Sequence, residues 1–390
     1  MKKSVLFTVV IASYICIAAT PTITGVTAQQ RYPWNGKVDI SYKVTGDIAA
    51  EAKQKALITS FKVTATDKVA NKTYTATRLS GDMALTAGTH KFVWDMNAEG
   101  LTFRSSNVVF NVLCETTPAT YCVIDLSAGA NATSYPVTYL ASPPSGGFNV
   151  DAYKTTKLVL KRLEAGTFKM QGSSNVTLTK PFFCGLFEVT QKQYELVTGS
   201  NPCSSTSWGV GTTYPVRASY NMIRGSSNGS KWPSSSAVDS SSFMGKMRAR
   251  IGLDFDLPTE AQWEYACRAS TTTTYYWGDS MDSNYAWYRE NSSGTTHPVG
   301  TKTANTWGLY DMSGNLWEWC LDWYGTLAYG TDPKGPSSGS QRVLRGSDMD
   351  NYAYSCTSSY RYYDKPEYDD HNFMYESEYY GFRLVRTLPD

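Results

Sequence analysis

Between Asp348 and Tyr380 the chain concentrates side chains that make contacts rather than break bonds. The segment DMDNYAYSCTSSYRYYDKPEYDDHNFMYESEYY holds nine of the 28 tyrosines, with five Asp, four Ser, two Asn and one His. Tyrosine offers rigid amphipathic area at low entropic cost, and short polar residues add adaptable hydrogen bonds. A merely solvated loop would favour Lys, Glu and Gly over tyrosine. The expected ligand contacts are Asp350, Asn351, Tyr352, Tyr354, Tyr360, Tyr362, Tyr363, Tyr368, Tyr375 and Tyr379. Reaction chemistry has weaker support. His90, His297 and His371 lie far apart, without the spacing of metal ligands. Asp369-Asp370 and the Glu376/Glu378 pair fall in the polar segment, where solvation or ligand contact is expected rather than acid–base work.

The cysteines depend on where the chain resides. Lys2-Lys3, an apolar run from Val5 to Ala19 and the small-x-small Val26-Thr27-Ala28 read as a leader of residues 1–28, cut after Ala28. No other stretch approaches the roughly 20 apolar residues of a spanning helix, so no integral membrane segment is expected after cleavage. The protein is then secreted, periplasmic or at the cell surface, where disulfides form. Seven cysteines remain beyond residue 28, an odd number, so at least one stays free or pairs with another chain. Cys114 and Cys122 suit a local disulfide.

The elements that position these residues fall into blocks. Residues 29–122 read as an immunoglobulin-like β sandwich. Val38, Ile40, Tyr42 and Val44 alternate with polar residues, as do Phe61, Val63, Ala65 and Val108, Phe110, Val112. Residues 123–156 read as a connector rich in Gly, Pro and Ser. From Lys157 the pattern becomes α+β. Thr190 and Thr259 are helix N-caps, and Trp263, Ala266 and Cys267 share one helix face. Residues 200–245 read mostly as loop. The flanks of the tyrosine-rich segment, Arg342–Gly346 and Gly381–Arg386, alternate like half-buried strands. The net charge of +2 comes without a Lys/Arg run, which argues against nucleic acid as a partner.

The sequence NTWGLYDMSGNLWEW at 305–319 is highly specific. With LPTEAQWEYACRA at 257–269, YYWGD at 275–279, RVLRGS at 342–347 and GFRLVR at 381–386, residues 157–388 resemble the formylglycine-generating enzyme (sulfatase-modifying factor) family. The resemblance implies a C-type-lectin-like fold of small antiparallel sheets, two helices and much irregular structure. It implies structural calcium on Asp311, Gly314, Leu316 and Glu318, two carboxylates and two backbone carbonyls, the hard ligands Ca²⁺ requires. It also implies a Cys267–Cys356 disulfide. Family enzymes carry a redox cysteine pair just after the Gly-Ser turn, and soft thiolates are what Cu(I) prefers. Here Asp350 occupies the first of those positions. No catalytic residue is therefore assigned, and neither copper nor the three-histidine iron of a second enzymatic branch is expected. One subgroup with this fold, the variable proteins of diversity-generating retroelements, diversifies positions between the Arg-Gly turn and a final Gly-Phe-Arg. Asp350–Cys356 and Tyr360–Tyr363 look similar, while Lys365, Glu367, Met374, Glu376 and Glu378 depart from that pattern. The reading is an exported non-catalytic binder of a protein or glycan surface. The alternatives are a drifted or copper-dependent oxidase of the same family and a structural cell-surface component.

Overall fold

The computed structural model describes residues 22–31, 35–45, 56–83, 88–101, 108–203, 208–367 and 379–389. Residues 1–21, and with them most of the expected leader, lie outside these, as do Tyr368, His371 and Tyr375. Two compact units emerge, Met1–Ala119 and Thr120–Asp390.

The first unit is all β: β1 (Thr22–Gln30), β2 (Lys37–Thr45), β3 (Ala56–Asp67), β4 (Lys72–Thr75), β5 (Leu79–Gly81), β6 (Gly88–Asp95) and β7 (Val108–Pro118). They form a four-stranded sheet, β1-β2-β6-β5, and a three-stranded sheet, β4-β3-β7. The expected alternation holds. Val38, Ile40, Tyr42 and Val44 from one sheet and Val63, Ala65, Phe110 and Val112 from the other share one core with Trp94 and Phe92. Period-two burial follows from the pleat, which sends alternate side chains to opposite faces.

The expected leader boundary falls inside this sheet. β1 pairs with β2 from Thr22 opposite Thr45 to Gln30 opposite Val38, and Val26 is 5% exposed within the shared core. Cleavage after Ala28 would remove all but two residues of the strand and open β2 as a new edge. A chain beginning at Gln29 is therefore expected to lose at least about 2 kcal/mol of module stability against one beginning at Pro21, the worth of a buried Val plus its ladder. Calorimetric unfolding of the two chains checks this, and identical transitions would remove β1 from the folded unit.

The second unit contains β8 (Tyr121–Asp125), β9 (Val137–Leu140), β10 (Lys157–Leu163), β11 (Gly166–Met170), β12 (Ser174–Leu178), β13 (Phe182–Gly185), β14 (Trp317–Trp323), β15 (Gly330–Thr331), β16 (Arg342–Arg345), β17 (Arg361–Asp364), β18 (Tyr380–Gly381) and β19 (Val385–Thr387). Its sheets run β19-β13-β10-β8-β9, β11-β12-β15 and β17-β16-β14-β18. The expected connector is thus part of this unit. β8 is a central strand, pairing with β10 on one side and β9 on the other. Its five residues were too few to stand out among the surrounding Gly, Pro and Ser.

Both expected caps are in place. Thr190 and Thr259 close capping boxes on the helices Gln191–Thr198 and Glu260–Arg268, with Gln193 and Gln262 as reciprocal partners. The stretch read as loop also yields helices Tyr220–Arg224 and Phe243–Ile251, capped by Ser219 and Ser242. Trp263, Ala266 and Cys267 enter a core with Phe182, Leu309 and Met312. Among the described residues no helix is long and apolar enough to cross a membrane.

Candidate ligand-binding surface and its buried support

The tyrosine-rich segment is seated by one buried ionic network. Arg345, at the end of β16, donates to Glu260 at 2.9 Å and to Glu264 at 2.7 Å. Arg361 in β17 donates to both oxygens of Glu260, at 2.6 and 2.8 Å. The first turn of the Glu260–Arg268 helix therefore holds two neighbouring strands. β16 pairs with β17 in register, Leu344 opposite Tyr362 and Val343 opposite Tyr363. Gly346 makes the turn out of β16 at φ 96°, and a Cβ there would come within 3.1 Å of the Trp263 ring. Only glycine takes that conformation without strain.

On this frame the aromatic rings meet in sequence. Centroids lie 6.2 Å apart for Tyr352 and Tyr354, and 5.8 Å for Tyr354 and Tyr360. The contacts continue from Tyr360 to Trp317 at 5.9 Å, from Trp317 to Tyr362 at 5.1 Å and from Tyr362 to Tyr363 at 5.7 Å. Tyr363 then meets Tyr324 at 4.1 Å. Two guanidiniums sit on rings of this strip: Arg289 over Tyr352 and Arg361 over Tyr324, each 4.8 Å from the centroid. Tyr352, Tyr354, Tyr362 and Tyr363 are 48, 59, 40 and 38% exposed. Single exposed apolar side chains are ordinary, but a contiguous group of them marks an interaction surface.

Five of the expected contacts, Tyr352, Tyr354, Tyr360, Tyr362 and Tyr363, are thus brought together. Asp350 and Asn351 shape the approach: Asp348 accepts from the Asp350 N–H at 2.7 Å and from the Asn351 amide at 2.8 Å. Tyr379 meets Trp208, 6.1 Å between centroids. Trp317, Tyr324 and Arg289 belong to the strip and were not singled out from sequence.

The tract expected to hold calcium is built differently. Glu318 is buried, with Arg383 donating to its two oxygens at 2.5 and 2.6 Å and the Trp263 indole N–H at 2.8 Å. Asp311 accepts from the Gly300 N–H at 2.6 Å. Glu188 accepts from the Asn315 amide at 2.7 Å and the Leu316 N–H at 3.1 Å. Gly314 packs so closely that a Cβ would lie 2.1 Å from the Trp287 carbonyl. A guanidinium and N–H donors occupy both oxygens of Glu318 and one of Asp311. Among the described residues no group of three or more His, Cys, Asp or Glu is disposed to hold a metal. This donor set does not fit calcium while Arg383 stays on Glu318. Burial, then Asp311 and Glu318, pushes the Glu188 carboxyl well above the usual range. Burial raises Asp311 to about 6, against the pull of the Gly300 N–H, Arg383 and Lys154.

The thiols are quiet. Cys267 and Cys356 are both free, so the expected bond between them is not formed. Cys267 contacts the Met312 carbonyl at 3.7 Å within the main core, while Cys356 belongs to a separate cluster with Tyr275, Ala286 and Tyr288. Burial pushes each thiol up to about 12, which disfavours the thiolate that nucleophilic or metal chemistry requires. Cys122 is free and buried, while the Cys114 side chain lies outside the described residues. His90 is held by Asp82 at 2.8 Å. The His297 ring lies on Trp287, 3.6 Å between centroids, with the Ser292 carbonyl 2.8 Å from its Nε2.

Residues 146–388 match the sulfatase-modifying factor enzyme 1-like domain. The chain belongs to this family. It is 37% identical over 122 residues to the formylglycine-generating enzyme of Streptomyces coelicolor, covering 27% of this chain and 37% of that protein. It is 31% identical over 203 residues to the chaperone protein LppX of Paenibacillus barcinonensis, covering 42% of this chain and 70% of that one. Among solved structures it is similar to Treponema denticola variable protein 1, with a TM-score of 0.48 and 25% identity over 60% of this chain and 96% of that one. The chain thus spans little more than a third of the length of the S. coelicolor enzyme.

Proposed function

We propose that this chain is an exported, non-catalytic member of the family that binds a protein or glycan surface through the strip from Tyr352 to Tyr324. The observation that carries the reading is the continuity of the seven rings, with four tyrosines open to solvent and a buried ionic network fixing the strands beneath them. Rigid aromatic anchors on an ordered frame lose little entropy on binding. In this reading the first unit is an immunoglobulin-like spacer that presents the second, and substitutions among the exposed tyrosines alter the ligand without disturbing the frame. Asp350 at the first cysteine position and the raised thiol of Cys356 argue against formylglycine generation.

Replacing Tyr354 and Tyr362 by Ala is expected to weaken capture of a ligand found on protein and glycan arrays by at least about tenfold, since a central aromatic anchor is worth roughly 2 kcal/mol. The unfolding midpoint should hardly move, because both rings are exposed. Unchanged capture by the variant would remove the strip from the recognition surface. Oxidation of a cysteine-containing sulfatase peptide by the wild-type chain supplied with Cu(I) would instead restore the enzymatic reading.

A further inference from the structure

The strip already shows which chemistry its rings accept. Two of its aromatic residues carry a guanidinium, Arg289 over Tyr352 and Arg361 over Tyr324. Further along the same run of contacts, Tyr354 and Tyr363 present rings 59 and 38% exposed. A ring face attracts a cation through its quadrupole, and arginine stacks better than lysine because its charge is planar and weakly hydrated.

The charge around the rings has the matching sign. Among the described residues of the segment, the four carboxylates Asp348, Asp350, Asp364 and Glu367 outnumber the two cations Arg361 and Lys365, in a chain whose net charge is +2. Of the two cations, Arg361 is already paired with Glu260. Glu290 and Glu367 are exposed, and Asp350 is half-buried at the approach to Tyr352. The Asp348 oxygens are taken by the backbone of Asp350 and the amide of Asn351, so Asp348 supports the turn rather than facing a ligand. Arg289 is the opposing charge at one end, and a partner seated there would place its own carboxylate or carbonyl on it.

We infer that the strip receives a basic polypeptide segment, with arginine side chains stacked on Tyr354 and Tyr363 and their charge balanced by the surrounding carboxylates. The inference rests on the strip being the recognition surface and adds the class of partner. Nucleic acid would be repelled by the same carboxylates. A neutral glycan would make no use of the charge asymmetry.

The test uses the full chain and three peptide probes: nona-arginine, nona-lysine and nona-glutamate. Binding is followed by fluorescence anisotropy at low and physiological salt. Nona-arginine is expected to bind about threefold or more tighter than nona-lysine, the margin of a few exposed cation–π contacts, and nona-glutamate not at all. Tyr354→Ala with Tyr363→Ala should remove the preference for arginine and leave the salt dependence in place. Asp350→Asn with Glu367→Gln should weaken both cationic peptides and flatten the salt dependence. The inference is overturned if nona-arginine fails to bind at low salt, or binds the tyrosine variant as it binds the wild type. If it fails while Tyr354→Ala abolishes capture of a neutral or acidic arrayed ligand, the strip remains the recognition surface and only the partner class falls. If the tyrosine changes affect no ligand at all, the strip itself is refuted.

Discussion

Replacing Asp322 by Asn is expected to flatten the loss of stability between pH 5 and pH 8. Asp322 is buried, and its carboxyl is pushed up to about 7 by burial first and by Glu260 second, against the Glu260 N–H, Arg342 and Arg361. In the unfolded chain an aspartate titrates near 3.9. The folded state therefore keeps a proton that the unfolded state releases. The stability tied to that proton is complete below about pH 4 and is lost as pH rises through 7. Asp348 and Asp311, each raised to about 6 chiefly by burial, act in the same direction. The amide of the Asp322→Asn variant has no such proton, and its oxygen can still accept the Glu260 N–H that Asp322 accepts at 2.8 Å. The wild type should lose on the order of 3 kcal/mol more than the variant across this range. Urea unfolding at pH 5 and pH 8 measures the difference. Equal slopes would mean that Asp322 is ionised in the folded protein throughout.

What could be read in advance was whatever depends on neighbours in sequence. The caps at Thr190 and Thr259 were legible because a side-chain oxygen answers an N–H three residues on. The core faces of β2 and β7 were legible because a strand repeats every two residues. The family was legible because the run from Asn305 to Trp319 combines tight turns with buried indoles. What was not legible depends on register between distant segments. Tyr324 joins the strip only because β17 pairs with β16, and Arg289 only because its N–H reaches the Asn351 carbonyl at 3.0 Å. β1 was hidden because Val26-Thr27-Ala28 satisfies a cleavage pattern and an edge strand equally well. The Phe243–Ile251 helix was hidden by the serine-rich run before it, although one of those serines is its cap.

The calcium expectation meets Arg383 for the same reason, and it leads to the second large effect. Its four positions were matched along one short tract, whereas the group that occupies Glu318 comes from Arg383, 65 residues away. Arg383 is fully buried, and it also donates to the carbonyls of Gly185 at 3.0 Å and Tyr310 at 2.9 Å. Arg383→Met keeps the apolar stem and removes the charge. Glu318 would then keep only the Trp263 indole, close to the buried Glu188 and Asp311. Breaking a buried pair by removing one partner leaves an uncompensated charge and costs about 3–5 kcal/mol. A loss of that size is expected in urea unfolding at pH 7, with much of it recovered by adding Glu318→Gln. The variant should also gain an affinity that the guanidinium opposes. With the guanidinium gone, Glu318 is a buried carboxylate near Glu188 and Asp311, with Lys154 the cation acting on Asp311, and unpaired carboxylate oxygens are what Ca²⁺ takes. Millimolar calcium should raise the melting temperature of Arg383→Met and leave the wild type where it is. A calcium-dependent rise in the wild type would show that Glu318 can exchange its arginine for the ion, and the metal site inferred from sequence would then stand.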